Sequence, residues 1–327
     1  MFNKILTSVL GLIIGISLAS CGGGTQYAEG GIGGTGISNG SVTGYGSIIV
    51  NGVHFDTTGA EVIKDDGVPV TNVNDADIDQ FINIGMVVTV KGSINDDGTG
   101  KADSISYDDI IEGPIVGNPA GTTLNVLGQN VKVVDGVTRY TCDEDYINCT
   151  FSTFANLAAG QEIEVSGFID QNGDITAAYI ELQKDSYTPN VDVFELKGHA
   201  TVITSSQFTI GGLTINTATN MTGLDGTYVK AKGTFDGVNT LTTTEAVEVE
   251  DESFDIADAD KAELEGLATT GCTTTNCDFT LSGVTVRVDS TTTFITGTAT
   301  DIDVGDKLEA EGKLQGGILY ASEIELK

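Results

Sequence analysis

A glycine-bracketed segment occurs four times in this chain and limits its fold more than any other feature. Each copy opens with two glycines seven residues apart: Gly85 and Gly92, Gly160 and Gly167, Gly226 and Gly233, Gly305 and Gly312. Apolar residues alternate between these glycines, and a turn rich in Asn, Asp and Gly leads into a second alternating run. Alternation with a period of two is typical of half-buried strands, so every copy predicts a β-hairpin. Repetition of the hairpin indicates tandem small domains.

A second, shorter hairpin is predicted upstream of each of these segments. Three of its turns have the tight sequences Asn51-Gly52, Gly211-Gly212 and Ser282-Gly283. Such pairs supply the positive φ angles of two-residue hairpin loops. Still earlier, Gly113, Gly198 and Gly266 each end an apolar-charged-glycine step, where we expect a strand to bend.

These elements predict an all-β fold of four tandem small β-barrel modules, because so small a sheet hides its edges best by closing on itself. We interpret each module as OB-like. Barrels of this size are marginally stable alone, so we expect neighbouring modules to pack together. The predicted boundaries are a signal peptide at 1–20, a lipidated cysteine with a glycine-rich flexible tether at 21–40, modules at 41–110, 111–184, 195–250 and 262–327, and linkers at 185–194 and 251–261.

The N-terminus has the pattern of a bacterial lipoprotein signal. Lys4 precedes an apolar stretch from Ile5 to Leu18, which runs into Ala19, Ser20 and Cys21. A stretch of about 14 residues is short for a spanning helix, which needs about 20. We expect acylation of Cys21 and insertion of its chains into a lipid bilayer. In a Gram-negative envelope, Gly22 carries no Asp-type retention signal, which favours the outer membrane, facing either the periplasm or the cell surface.

The chain is strongly acidic, with a formal net charge of −32. Removal of residues 1–20 takes away Lys4 alone and leaves 14 basic against 47 acidic residues, or −33. Such a charge opposes binding to nucleic acid, so no nucleic-acid partner is expected. Solubility alone is a sufficient reason for the acidity.

Four cysteines besides Cys21 fall into two close pairs, Cys142 with Cys149 and Cys272 with Cys277. An even number in an exported protein favours two local disulfides. The alternative is a four-thiolate zinc site, although the spacings do not match the short knuckles of zinc ribbons.

Two turns rich in oxygen ligands are weak candidates for calcium binding. Asp96 and Asp97 occupy one, and Asp170, Asn172 and Asp174 occupy the other. Calcium prefers such oxygen donors. Turn geometry favours the same residues without any ion, because Asn, Asp and Gly adopt hairpin-turn conformations easily. No other cofactor is indicated.

No catalytic residue is predicted. The two histidines, His54 and His199, fall in different modules, and no Gly-x-Ser-x-Gly nucleophile motif occurs. Carboxylates are too abundant for a pair to be informative, and the absence of Trp removes the usual sugar-stacking platform.

Three segments carry a resemblance to a known family: the glycine-rich run at 30–36, the Gly44-Tyr-Gly-Ser-Ile-Ile-Val-Asn-Gly-Val53 strand, and the Gly-x-x-Val-x-Val-x-Gly hairpins. They resemble bacterial lipoproteins with tandem copies of the domain of unknown function 5666. The resemblance implies a small β-barrel and an envelope location, and it implies no catalytic residues.

The expected function is a non-catalytic binding or structural role at the cell envelope, with an envelope polysaccharide or protein as partner. Tandem copies could provide several weak sites that act together. Two alternatives stay open: a carbohydrate-active enzyme or its accessory, with carboxylates facing each other across a pocket between modules, and a calcium-stabilised extracellular stalk.

Overall fold

A computed structural model describes residues 35–65, 67–143, 149, 151–170, 172–250 and 258–327, all within one compact unit. In these ranges the regular structure is strand, with three short 3-10 helices at Ile78–Gln80, Phe154–Asn156 and Ala299–Asp301. The predicted all-β class is confirmed. No helix in the described part of the chain is long and apolar enough to cross a bilayer. The predicted signal peptide and Cys21 lie outside the described residues.

Strand group 1 closes into a five-stranded barrel. Its strands are β1 (Thr35–Gly44), β2 (Ile48–Val50), β3 (Val53–Asp56), β4 (Ala60–Lys64), β5 (Val70–Val73), β6 (Val87–Ile94) and β7 (Thr99–Tyr107). Five of them form the ring β1–β2–β3–β7–β6 and back to β1. The β3–β7 pair is parallel and the other four are antiparallel. β4 runs parallel to the second half of β7, and β5 pairs with β4.

Three further strand groups follow. Group 2 comprises β8 (Ile111–Pro114), β9 (Thr123–Val126), β10 (Gln129–Val133), β11 (Arg139–Cys142), β12 (Glu162–Ile169) and β13 (Ile175–Lys184). Group 3 comprises β14 (Val193–His199), β15 (Thr201–Thr204), β16 (Gln207–Ile210), β17 (Leu213–Asn216), β18 (Tyr228–Phe235), β19 (Thr240–Thr243) and β20 (Glu248–Val249). Group 4 comprises β21 (Ala259–Leu267), β22 (Cys277–Leu281), β23 (Val284–Val288), β24 (Thr293–Thr296), β25 (Lys307–Gln315) and β26 (Ile318–Leu326).

The pairing order of group 1 recurs in these groups. In each, the predicted long hairpin (β12–β13, β18–β19, β25–β26) pairs in parallel with the second strand of the short hairpin (β10, β17, β23). The rings of groups 2 and 4 close through single bridges, Ile115 to Val126 and Ala268 to Leu281. In group 3 the ring closes through β15, which follows β14 after one residue.

The groups combine in pairs into two 13-stranded sheets. β8 and β14 pair antiparallel and join groups 2 and 3, whereas β1 and β21 pair in parallel and join groups 1 and 4. Groups 2 and 3, which are consecutive in the chain, therefore share one sheet, and groups 1 and 4, the first and the last, share the other. A small apolar cluster of Phe168, Ala178 and Leu267, with Val87 against it, connects the two sheets.

The paired glycines have two different physical roles. Gly85, Gly160, Gly226 and Gly305 all have positive φ, between 76° and 100°, which side-chain-bearing residues rarely adopt. At Gly92, Gly167, Gly233 and Gly312 a Cβ would lie under 3.0 Å from a carbonyl oxygen of the next strand. The second glycine thus permits close approach of the hairpin strands, and three of the four positions coincide with a register shift.

The glycines expected at strand bends instead make room for a turn. A Cβ on Gly113, Gly198 or Gly266 would collide with Leu127, Ile210 or Ser282 respectively, at or beside the turn of the following short hairpin. Gly40 was not among the glycines predicted at strand bends, but a Cβ there would likewise collide with Asn51 in the turn of the first short hairpin.

Several predicted boundaries were wrong. Residues 35–40 were assigned to the flexible tether, but they begin β1, where Ile37, Ser38 and Asn39 are buried. Glycine content suggested coil; however, residues 36–39 of β1 pair with β6 on one side and with β21 on the other. The predicted linkers also end earlier, since β14 starts at Val193 and β21 at Ala259.

Candidate functional site

A cavity of about 720 Å³ lies where the four strand groups meet. Its lining includes Asn39 and Ser106 of group 1, Phe168 of group 2, Tyr228 of group 3 and Ser282 of group 4. The ends and edges of strands from both sheets form its wall, so the cavity exists only because the groups assemble in this arrangement. A volume of this size suits a small ligand or a short segment of a polymer.

The wall combines hydroxyl and amide groups with aromatic rings. His199 and Tyr228 lie at adjacent ends of β14 and β18, with their rings in an edge-to-face arrangement and centroids 5.4 Å apart. Asn39 Oδ1 and Ser282 Oγ are buried atoms without a hydrogen-bond partner among the described residues. Buried polar atoms of this kind are normally satisfied by water or a ligand.

A cluster of carboxylates borders this cavity. Asp65 follows β4, and Asp108 and Asp109 follow β7, so parallel pairing of β4 with β7 brings the three residues to the same edge. One carboxylate oxygen of each lies within 4.8 Å of the others. The Asp65 N–H donates to the Tyr107 carbonyl at 3.0 Å, and the Asp109 N–H approaches Asp65 Oδ1 at 3.4 Å. The backbone thus fixes both strand ends relative to each other.

The three carboxylates differ in their surroundings. Asp65 and Asp108 are exposed, whereas Asp109 is only 5% exposed and its Oδ2 has no hydrogen-bond partner among the described residues. Burial, reinforced by the charge of Glu164, raises the pKa of Asp109 well above its usual range. Loss of hydration also raises the pKa of Asp65, although Lys64 opposes the rise. Negative charge is therefore only partly compensated here.

Lys197 is the cation that approaches this cluster from group 3. Its side chain is buried, and its Nζ forms an ion pair with Asp108 Oδ2. The Lys197 N–H donates to the carbonyl of Ile110, which anchors β14 beside the end of group 1. The carboxylates keep the pKa of Lys197 above its ordinary value, against the effect of burial.

A buried polar network lies behind the cluster, between groups 1 and 2. The Tyr107 hydroxyl donates to Glu164, and Gln183 Nε2 donates to Glu164 Oε2 at 3.0 Å and to Glu181 Oε2 at 3.2 Å. Tyr179 in turn donates to Glu181 Oε1 at 2.9 Å. Burial raises the pKa of Glu164 strongly. The network holds the end of β7 against β12 and β13.

A smaller cavity, of about 450 Å³, lies on the other side of the cluster. Asp65, Glu195, Lys230 and Lys232 line it together with residues around β20. Since Asp65 lines this cavity and Asp108 and Asp109 line the larger one, the cluster stands between the two.

The oxygen-rich turns proposed as calcium candidates use their carboxylates within the protein. Asp170 Oδ1 accepts the N–H groups of Asn172 and Asp174, and Asp97 Oδ1 accepts both donors of Thr99. Asp174 forms an ion pair with Lys132 at 3.0 Å, and Asp96 forms one with Lys261 at 2.5 Å. These contacts support the turn-geometry interpretation, and no described residue of either turn belongs to a group of three potential ligands.

The other candidate residues lie apart from one another. His54 is an exposed residue of β3, while His199 lines the large cavity. Cys142 with Cys149 and Cys272 with Cys277 form two local disulfides, with Cα–Cα separations of 6.3 and 5.8 Å. Each thiol pair is therefore bonded within itself.

The profile of the domain of unknown function DUF5666 matches residues 37–106, 112–181 and 273–325. These matches cover more than half of the chain. The chain belongs to the DUF5666 family. The three matches fall within strand groups 1, 2 and 4, although β21 of group 4 precedes the third match. Group 3 has the same pairing order without a match. A search of curated proteins finds no match.

The carboxylate cluster was missed in the sequence because Asp108 and Asp109 lie between two DUF5666 matches, in no recognisable motif. A signal was present. Asp108-Asp109 follows the second strand of a predicted long hairpin, and Asp65-Asp66 follows the alternating run Ala60-Glu-Val-Ile-Lys64, which was not predicted as a strand. Strands that pair in parallel bring their carboxyl ends together.

Proposed function

We propose that this protein is an outer-membrane lipoprotein, anchored through acylated Cys21, that binds an envelope saccharide without transforming it. Its ligand occupies the cavity of about 720 Å³ at the junction of the strand groups, which is the observation that carries the proposal. In this proposal each strand group is an OB-like module, and the role of the four modules is to build one shared site.

The OB-like assignment is supported by the recurring pairing order. An OB-fold is a five-stranded Greek-key barrel, partly open, that binds oligonucleotides or oligosaccharides. The rings of groups 1, 2 and 4 have five strands, and the ring of group 3 has six because β14 and β15 are separate strands. Each ring has a single parallel pair between the short and the long hairpin. Recurrence of that order in group 3 supports a fourth module there.

The chemistry of the cavity wall favours a sugar. Hydroxyl and amide side chains can exchange hydrogen bonds with sugar hydroxyls, and Tyr228 and His199 offer aromatic rings to the apolar side of a pyranose. Charged residues lining the cavity include more acids than bases, since Asp108, Asp109, Asp170 and Glu250 face Lys91 and Lys197. We therefore expect a neutral or amine-bearing saccharide rather than a phosphorylated one.

The test is saturation-transfer NMR with glycan strands released from peptidoglycan and with oligosaccharides released from the outer leaflet. The full-length protein is compared with H199A and H54A. Both variants remove an exposed imidazole from a strand, but only His199 lines the cavity. Binding that weakens at least about tenfold in H199A and is unchanged in H54A is expected. Equal transfer to all three proteins, or none to any, would refute the proposal.

One observation favours an enzyme acting on the same saccharide. Asp109, whose pKa is raised well above its usual range by burial, lies beside Asp65 and Asp108. A protonated and an ionised carboxyl group in proximity are the requirement of glycoside hydrolysis. Release of new reducing ends from the bound glycan, abolished in D109N, would replace the binding role by this one.

A further inference from the structure

The carboxylates of Asp65, Asp108 and Asp109 meet at a point that sequence motifs do not mark. Two oxygens bound to the same calcium ion lie at most about 5 Å apart, since each Ca–O distance is about 2.3–2.6 Å. The three oxygens here lie within 4.8 Å of one another. One ion can therefore lie among all three oxygens with small adjustments of the side chains.

A second, independent observation comes from Asp109. This residue is 95% buried by accessible surface, and its Oδ2 lacks any partner in the described structure. An unpaired carboxylate oxygen in such a place is costly unless a cation or a proton compensates it. Lys197 forms its ion pair with Asp108, so its charge acts on Asp109 without a hydrogen bond to this oxygen.

The charge around the cluster also leaves room for a cation. Two lysines, Lys64 and Lys197, act on it, whereas Glu164 and Glu195 add to its three carboxylates. Lys197 supplies one positive charge at the edge of the cluster, and Lys64 lies instead over the Tyr107 ring, 5.6 Å from its centroid.

The access to the cluster and the type of its donor atoms also favour a calcium ion. The cluster stands between the two cavities, so water or a ligand oxygen can complete the shell of an ion from either side. The donors in this group are all carboxylate oxygens, with no thiolate or imidazole among them. Hard oxygen donors select calcium-type ions over zinc.

We propose that Asp65, Asp108 and Asp109 form a calcium site at the junction of strand groups 1 and 3. The ion lies between the ends of β4 and β7, replaces the missing partner of Asp109, and fixes the first group against β14. This location differs from the two oxygen-rich turns, whose carboxylates are already engaged. The site does not depend on a saccharide, and calcium binds in its absence.

Terbium luminescence is a direct assay, because the chain has no Trp and Tyr107 precedes two of the ligands. The full-length protein in detergent is titrated with terbium at moderate ionic strength, which screens loose association with the acidic surface. Calcium then displaces the bound terbium. We expect half-saturation by calcium at about 0.1–1 mM, as in extracellular calcium modules.

Two double variants with equal charge change locate the ion. D65N/D108N removes two proposed ligands, and D97N/D170N removes one carboxylate from each oxygen-rich turn. We expect at least tenfold weaker calcium binding in the first and a change of less than twofold in the second. Thermal unfolding gives an independent readout: calcium should raise the Tm of the wild type and of D97N/D170N but not that of D65N/D108N.

D109N tests the buried oxygen separately. With chelator present, this variant should melt no lower than the wild type, because its amide needs neither a proton nor a cation at this buried position, and calcium should no longer raise its Tm. Unchanged calcium affinity in D65N/D108N and D109N, selective loss in D97N/D170N, or no calcium response of the wild type at concentrations tenfold above the expected range would each overturn the proposal.

Discussion

The glycine pairs allow a sharp test of how sequence determines this fold. Gly160 and Gly167 belong to the same hairpin but have different constraints. Gly160 has φ +89° with open space around its missing Cβ, whereas a Cβ at Gly167 would lie under 3.0 Å from the Thr176 carbonyl oxygen and 3.0 Å from Ala177 Cα. Substitution of each by Ala therefore measures a backbone conformational cost in one case and a steric cost in the other.

The magnitudes follow from these environments. An alanine in the left-handed region costs about 1–2 kcal/mol, which is our expectation for G160A. In G167A the Cβ overlaps backbone atoms, and ordinary contact requires β12 and β13 to separate by more than about 0.5 Å. Overpacking of that kind costs about 1–3 kcal/mol, and weakening one adjacent ladder hydrogen bond adds about 1 kcal/mol. We therefore expect a loss of about 2–4 kcal/mol in G167A.

Asparagine distinguishes the two mechanisms more clearly than alanine does. Asn adopts positive φ more easily than Ala, so G160N should be more stable than G160A. The larger side chain cannot relieve a collision, so G167N should be no more stable than G167A. Urea unfolding followed by circular dichroism gives the free energies of unfolding. These roles of the two glycines would be refuted if G160N were no more stable than G160A, or if G167A lost less unfolding free energy than G160A.

Three further predictions concern other parts of the chain. Burial and the facing charges of Glu311 and Glu309 raise the pKa of Glu263 to about 8, so the folded state holds its proton more tightly than the unfolded state. Glu263 should therefore contribute a fall in stability on the order of 3 kcal/mol between about pH 5 and pH 8, and E263Q should reduce the pH dependence of thermal melts by that amount while the other buried carboxyl groups keep theirs. Asn51 Nδ2 donates to the carbonyls of Asn39 at 2.8 Å and Glu263 at 3.2 Å; N51A should therefore lose about 2–3 kcal/mol in urea unfolding, and N51G, which keeps the positive φ, should lose less. Replacement of Cys21 by Ser should move the protein from the membrane to the soluble fraction and abolish incorporation of labelled fatty acid, whereas continued membrane association would contradict the lipid anchor.

Local sequence signals predicted the hairpins well. Turn pairs such as Asn51-Gly52 and Ser282-Gly283 have positive φ at both positions, as their sequences indicated. A long hairpin lies after each pair of glycines, although the second strand of the third hairpin, β19, ends at Thr243 and is much shorter than the alternating run predicted. These features depend on residues that are adjacent in the chain, so a single sequence contains the information.

Pairing between groups was beyond local reasoning. β1 lies between β6 of its own group and β21 of group 4, more than 200 residues away. Its sequence, Thr35-Gly-Ile-Ser-Asn-Gly, contains the glycines that suggested a flexible tether. Gly36 permits close approach of β6, since a Cβ there would collide with Ile94, and Gly40 makes room for the side chain of Asn51. Composition could not distinguish these two uses of glycine.

The site was predictable only in part. His199 and the acidic turns were visible as isolated polar residues, but their different roles depend on which neighbours the fold provides. Asp170 accepts backbone hydrogen bonds from its own turn, while Asp109 has a buried oxygen without a partner. In the sequence both residues are carboxylates at strand ends, Asp109 after β7 and Asp170 between β12 and β13. The surroundings of Asp109 depend on the parallel pairing of β4 with β7 and on the contact of Lys197 with Asp108. Both contacts join residues far apart in the chain, so local sequence could not distinguish Asp109 from Asp170.

The arrangement of the groups also bears on how many ligands one chain binds. Tandem copies suggested several weak sites acting together, which predicts about four ligands per chain. The cavity instead takes unlike surfaces from each group: a strand end from group 1, a β12 edge from group 2, the β14 and β18 ends from group 3 and a turn from group 4. Because the inter-group pairings differ, parallel for β1 with β21 and antiparallel for β8 with β14, no symmetry repeats this junction. Under the proposed function, the repeats together form the wall of a single site, so calorimetric titration should give close to one saccharide per chain; a value near four would instead place a binding surface on each strand group.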